Sequence, residues 1–203
     1  MGLLIGQKPV KLVVSIIYKD QEFLEYAESK LKKTYGGSES LEMILPFNYT
    51  KYYEKEFGTP LERKLICFKK LLDSDKIPGV KLKTNKIENS LCANGKRTVN
   101  IDPGYITEAK LILLTTKDYA HRIYLSGCIF AEATLFFQNN TFNPWPWTYP
   151  DYKSKEMIDY FNEVREIYRE QLQCTRCKFP AEGGTAFGGN PAPCNLNPEP
   201  CNL

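Results

Sequence analysis

The sequence predicts an α+β domain built on a mostly antiparallel sheet, and three observations carry that expectation. Val10–Tyr18, VKLVVSIIY, is a run rich in β-branched residues, as a buried strand requires. Runs of this kind alternate with two stretches of helical spacing, so that the first hundred residues read β-α-β-β-α-β, the ferredoxin-like split motif. Ser154–Leu172 then spaces Met157, Ile158, Phe161, Val164, Ile167, Tyr168 and Leu172 along one wide face, which predicts a C-terminal amphipathic helix laid on the sheet.

Each element has its own grounds. Asp20 stands where a helix cap belongs, and Phe23, Leu24, Ala27 and Leu31 continue at helical spacing to Lys33 before Gly36-Gly37 ends the helix. Leu41–Phe47 reads as a strand closed by Pro46. Asn48–Phe57 is polar and aromatic and reads as a loop or irregular helix, with Tyr52 and Tyr53 as edge cover for the core or as a stacking surface for a ligand ring. Leu61–Leu72 alternates as a strand. Asp73–Pro78 turns the chain, and Val80–Cys92 carries a helical stripe that Asn94-Gly95 stops. Thr98–Ile101 is the next strand, with a turn expected at Pro103-Gly104. Lys110–Thr115 adds another strand. Phe142–Tyr152, FNPWPWTYPDY, holds three prolines and is expected to lie extended over the body, with Trp145 and Trp147 as packing anchors. Ser154 caps the last helix.

The densest polar cluster lies between Arg97 and Phe137. His121-Arg122-Ile123-Tyr124-Leu125 alternates as a half-buried strand, Ser126-Gly127 offers a two-residue turn, and Cys128–Phe137 returns. That hairpin places His121 opposite Glu132, where a carboxylate fixes the imidazole's tautomer and favours its charged form. Asp102, Lys117, Asp118, His121, Arg122 and Glu132 then gather at one end of the sheet. Two cations, a histidine and three carboxylates suit phosphate-ester chemistry or metal binding. A salt-bridged sheet end with no ligand is the alternative, because structural ion networks collect the same groups.

The blocks NIDPGYI, KLILLTTKDYAHRIYL and PWTYPDY resemble a bacterial family defined by a domain of unknown function, over about Lys8 to Leu172. Members of that family are frequently labelled GTP-binding proteins. The resemblance implies membership and no established activity. A phosphate-cradling loop needs GxxxxGK[ST] between a strand and a helix, and the sequence contains none. Thr116-Lys117-Asp118 lacks the spacer of a guanine-reading motif. The nucleotide reading therefore rests on a geometry other than a P-loop.

Composition narrows the rest. A net charge of +3 is too small to argue for nucleic acid. No apolar run approaches the ~18 residues of a membrane span, and the apolar start, MGLLIG, is too short for a signal peptide, so the expected location is the cytoplasm. Residues 1–172 read as one domain and 173–203 as a tail rich in Cys, Gly and Pro. In that tail Cys174 and Cys177 have the spacing of half a zinc site, with Cys194 and Cys201 as a looser second half; disorder is the competing reading.

Two functions stay open on the sequence. In the first, a phosphate-bearing small molecule, such as a nucleotide, is bound, hydrolysed or transferred. Lys117, Asp118, Arg122 and Tyr105 face the ligand, His121, Glu132 and Asp102 supply acid-base or anchoring groups, and Asp102 or Asp118 meets Mg²⁺ or a sugar hydroxyl. In the second, the chain is a non-catalytic interaction protein that meets a protein partner through the aromatic strip Pro144–Tyr152 and the tail.

Overall fold

The structure is a computed structural model that describes residues 7–93 and 95–178, with side chains through Cys174. The strands are β1 (Val10–Tyr18), β2 (Ser38–Pro46), β3 (Glu62–Leu72), β4 (Val99–Ile106), β5 (Lys110–Thr115), β6 (Arg122–Ser126), β7 (Ile129–Gln138) and β8 (Thr141–Pro144). The helices are α1 (Gln21–Tyr35), α2 (Glu54–Phe57), α3 (Ile77–Ser90) and α4 (Lys155–Lys178). All strands join one antiparallel sheet in the order β2-β3-β1-β4-β5-β7-β6, with β8 on the second half of β7. The first four strands have the ferredoxin-like order, and the α+β expectation holds.

β1 is buried along its whole length because both faces of the sheet are covered. On one face Leu12, Val14 and Ile16 pack with Leu24, Ala27 and Leu31 of α1 and with Ile77 and Val80 of α3. On the other, Val13, Leu65 and Leu111 pack against Met157, Phe161, Val164 and Tyr168 of α4. Burying such a side chain contributes about 1.5–3 kcal/mol, so these two layers dominate the domain's stability. A buried cation links the sheet to α4: Lys11, fully buried in β1, bonds Glu39 of β2 at 2.5 Å and Gln171 of α4 at 3.0 Å.

Four local expectations need correction. Pro103-Gly104 is not a turn: β4 runs straight through it, paired with β1 from Val99↔Tyr18 to Ile106↔Lys11. The glycine serves close packing instead, because a Cβ at Gly104 would lie 2.5 Å from the Ile112 carbonyl oxygen of β5. The β6–β7 turn is Gly127-Cys128, both with positive φ, as a type I′ hairpin needs. The ladder therefore pairs Ser126 with Ile129, shifts register before Tyr124, and sets Arg122, not His121, opposite Glu132. The second long helix begins at Ile77, with Pro78 in its first turn, where its missing N–H costs nothing. Asp20 precedes α1 without a side-chain cap bond.

Ser154 does cap α4, its Oγ accepting from Met157 N at 3.3 Å, and the helix continues to Lys178, past the expected end at Leu172. Within the polar Asn48–Phe57 segment only Glu54–Phe57 is helical.

Candidate functional site

The β4–β5 ladder holds three pairs: Gly104↔Leu113, Tyr105↔Ile112 and Ile106↔Leu111. It stops beside Pro103, which has no N–H to extend a ladder. Beyond that point lies a cleft of about 650 Å³, within the range of small-molecule sites. Asn100 and Asp102 of β4 line one side, and Leu113–Lys117, Arg122 and Glu132 the other. Lys81, Asn85, Glu88 and Asn89 reach it from α3. Tyr149, Pro150, Asp151 and Tyr152 reach it from the segment before α4, and Phe47, Tyr49, Tyr52 and Tyr53 from the loop after β2.

The polar groups of the cleft form three sets. On β4, Lys81 Nζ donates to the Ile101 carbonyl at 2.9 Å and to Asp102 Oδ1 at 3.2 Å, while Asn100 Nδ2 donates to Asp102 Oδ2 at 2.6 Å. Arg97 extends this set through Asn100 Oδ1 at 3.0 Å and grips Glu56 with two parallel bonds of 2.9 and 2.8 Å. That grip lowers the Glu56 pKa and raises that of Arg97. Glu88 accepts from Ile101 N, and burial raises its pKa.

The second set is Arg63 and Asp151, a buried ion pair. The guanidinium lies between the Phe47 ring at 4.7 Å and the Tyr152 ring at 5.1 Å. The third centres on Glu132, which is 2% exposed. Its Oε2 accepts from Arg122 Nε at 2.9 Å and contacts His121 Nε2 at 3.1 Å. Arg122 also donates to the Lys117 carbonyl at 3.1 Å and the Tyr149 hydroxyl at 2.9 Å, so three of its N–H groups are engaged. Glu132 Oε1 has no hydrogen-bond partner among the described residues.

Of the residues expected at the site, Asp102, Lys117, Arg122 and Glu132 line the cleft. His121 meets Glu132 from outside the cleft lining. It sits in a row of rings from Tyr119 through His121, Trp147 and Trp145 to Phe136, with centroids 5.2, 5.2, 5.1 and 4.5 Å apart. Asp118 is exposed and is not among the lining residues. Tyr105 packs against the core under α1 and α3, away from the lining set. Cys174 is exposed on α4 and the backbone of Cys177 is helical, while Cys194 and Cys201 lie outside the described residues. Among the described residues no three His, Cys, Asp or Glu side chains converge as metal ligands would.

Arg63, Lys81, Glu88, Arg97, Asn100 and Asp151 are cleft residues that the linear pattern does not single out. Arg97 and Asn100 fall within the polar stretch that opens the central segment and carry the one local hint. Arg63 and Lys81 look like the exposed charges of a strand and a helix, and only the packing of distant elements turns them inward.

The chain belongs to the family described as Domain of unknown function (DUF4416), which matches residues 8–168. No curated protein and no solved structure matches the chain. Among the described residues no helix is long and apolar enough to cross a membrane.

Proposed function

We propose that this chain binds a phosphate-bearing small molecule, with a nucleotide as the best-fitting class, in the cleft between β4 and β5 and without a P-loop. The observation that carries this reading is Lys117. The other cleft cations each face a carboxylate: Arg63 with Asp151, Lys81 with Asp102, Arg97 with Glu56 and Arg122 with Glu132. Lys117 makes no ion pair among the described residues, and its Nζ stands 5.4 Å from the centre of the exposed Tyr52 ring. An unneutralised ammonium beside a wall of tyrosines offers a phosphate contact and a stacking surface within one molecule's reach. Arg122, already committed to three partners, holds the wall together and shares the phosphate only through its remaining N–H groups. Both oxygens of Asp102 are occupied, which suits a sugar hydroxyl better than Mg²⁺. No reaction is assigned.

A thermal-shift screen against ATP, GTP, their diphosphates and tripolyphosphate, with and without Mg²⁺, tests the reading. A ligand at ~100 times its dissociation constant adds about 2.7 kcal/mol, which raises the midpoint by several degrees. Lys117→Ala is expected to weaken that ligand about tenfold or more without lowering the unliganded midpoint, since Lys117 is exposed. No shift with any of these compounds at millimolar concentration contradicts the proposal.

A second reading, an interaction surface, draws on the exposed Tyr119 just before β6, Ile123 and Tyr124 on it, and Trp147 and Tyr149. Against it, Trp147 is held by stacking on both faces and donates to the Ala133 carbonyl at 3.0 Å. Pull-down that depends on Ile123 and Tyr124 would favour this reading.

A further inference from the structure

The carboxylate of Glu132 is used asymmetrically. Oε2 is held by Arg122 Nε at 2.9 Å and His121 Nε2 at 3.1 Å, while Oε1, in a side chain 2% exposed, has no hydrogen-bond partner among the described residues. Leaving a buried acceptor unsatisfied is costly, and more so for a charged group than for a neutral one. Two donors on one oxygen also fix the direction of the other, because the carboxylate cannot rotate without breaking both contacts. Glu132, within β7, lines the cleft together with Lys117 of the β5–β6 connection, whose carbonyl accepts from Arg122 Nη1.

We propose that Glu132 Oε1 accepts a hydrogen bond from an N–H or O–H group of the bound molecule. The ligand of this cleft is then an organic phosphate bearing a donor, such as a nucleotide's base N–H or sugar hydroxyl, and not an inorganic polyphosphate. The inference rests on the phosphate-ligand reading and sharpens it. Lys117 supplies charge, which any polyphosphate can satisfy; Glu132 supplies selection, because a site built to bond a donor rejects a molecule that lacks one. His121 is a positioning residue in this scheme, holding Glu132 without touching the ligand.

The test is a calorimetric titration of the whole chain with the nucleotide that shifts the melt most and, separately, with tripolyphosphate, which is fully deprotonated and donor-free at pH above its last ionisation. Glu132→Gln keeps the size and removes the charge, and its amide oxygen retains the contacts to Arg122 and His121, which turns an NH₂ toward the ligand's donor. The nucleotide is expected to bind at least tenfold more weakly to E132Q, and tripolyphosphate with unchanged or higher affinity. An equal loss for both probes, or no loss for either, overturns the donor role while leaving the phosphate reading intact. Failure of the wild type to bind either probe removes both. If E132Q lacks a cooperative melt, Glu132→Asp replaces it: the charge stays but the acceptor withdraws by one methylene, and the same contrast between the probes is expected.

Discussion

Gly104 shows how one residue shapes the site. A Cβ there would meet the Ile112 carbonyl oxygen at 2.5 Å and Leu113 Cδ2 at 2.8 Å, and the first of these belongs to backbone that cannot step aside alone. Gly104→Ala is therefore expected to force β4 and β5 apart at the point where their short ladder ends, at a cost of about 1–3 kcal/mol. Chemical denaturation measures it; a midpoint equal to wild type would mean that the two strands are not so tightly apposed. Pro103-Gly104 is also where the sequence misleads. The pair has the composition of a turn, and its real role, ending the β4–β5 ladder and permitting close approach within it, depends on β5, which no local pattern reveals. The His121–Glu132 contact is legible for a related reason and with a related error. Alternation places the two side by side, but the true turn is one residue later and a register shift follows, so the cross-strand partner of Glu132 is Arg122 and His121 reaches it from the strand's edge.

At the scale of elements, α4 connects the core to the cleft. Phe161, 1% exposed, stacks on Tyr152 with centroids 5.9 Å apart and planes 5° apart, and Tyr152 in turn backs Arg63 in the cleft wall. Phe161→Ala is expected to cost about 3–5 kcal/mol, lowering the thermal midpoint by roughly 10 °C, and to leave Arg63 less firmly held. A change under about 1 kcal/mol would show that the layer under α4 repacks freely. This helix was readable because seven apolar residues recur on one face, a signal that needs no knowledge of the partner. The buried strand Val10–Tyr18 was readable for the same reason, although its continuous apolar run hides Lys11, a fully buried cation satisfied by Glu39 and Gln171 from distant elements.

At the scale of the molecule, the ferredoxin-like half supplies one wall of the cleft and the added strands the other. Cleft residues come from positions as far apart as Phe47 and Tyr152. Each wall has its own sequence trace, but their meeting does not. That explains why four of the expected site residues line the cleft while Tyr105 and Asp118, close to them in sequence, fall outside it. The most direct measurement is an amide NMR titration of the chain with a nucleotide. The account predicts saturable shifts gathered in residues 49–53, 81–89, 100–102, 113–117, 122, 132 and 149–152, with the β6 edge at 123–126 little changed. Shifts confined to that edge and to residues 144–147, or none at millimolar nucleotide, would contradict it.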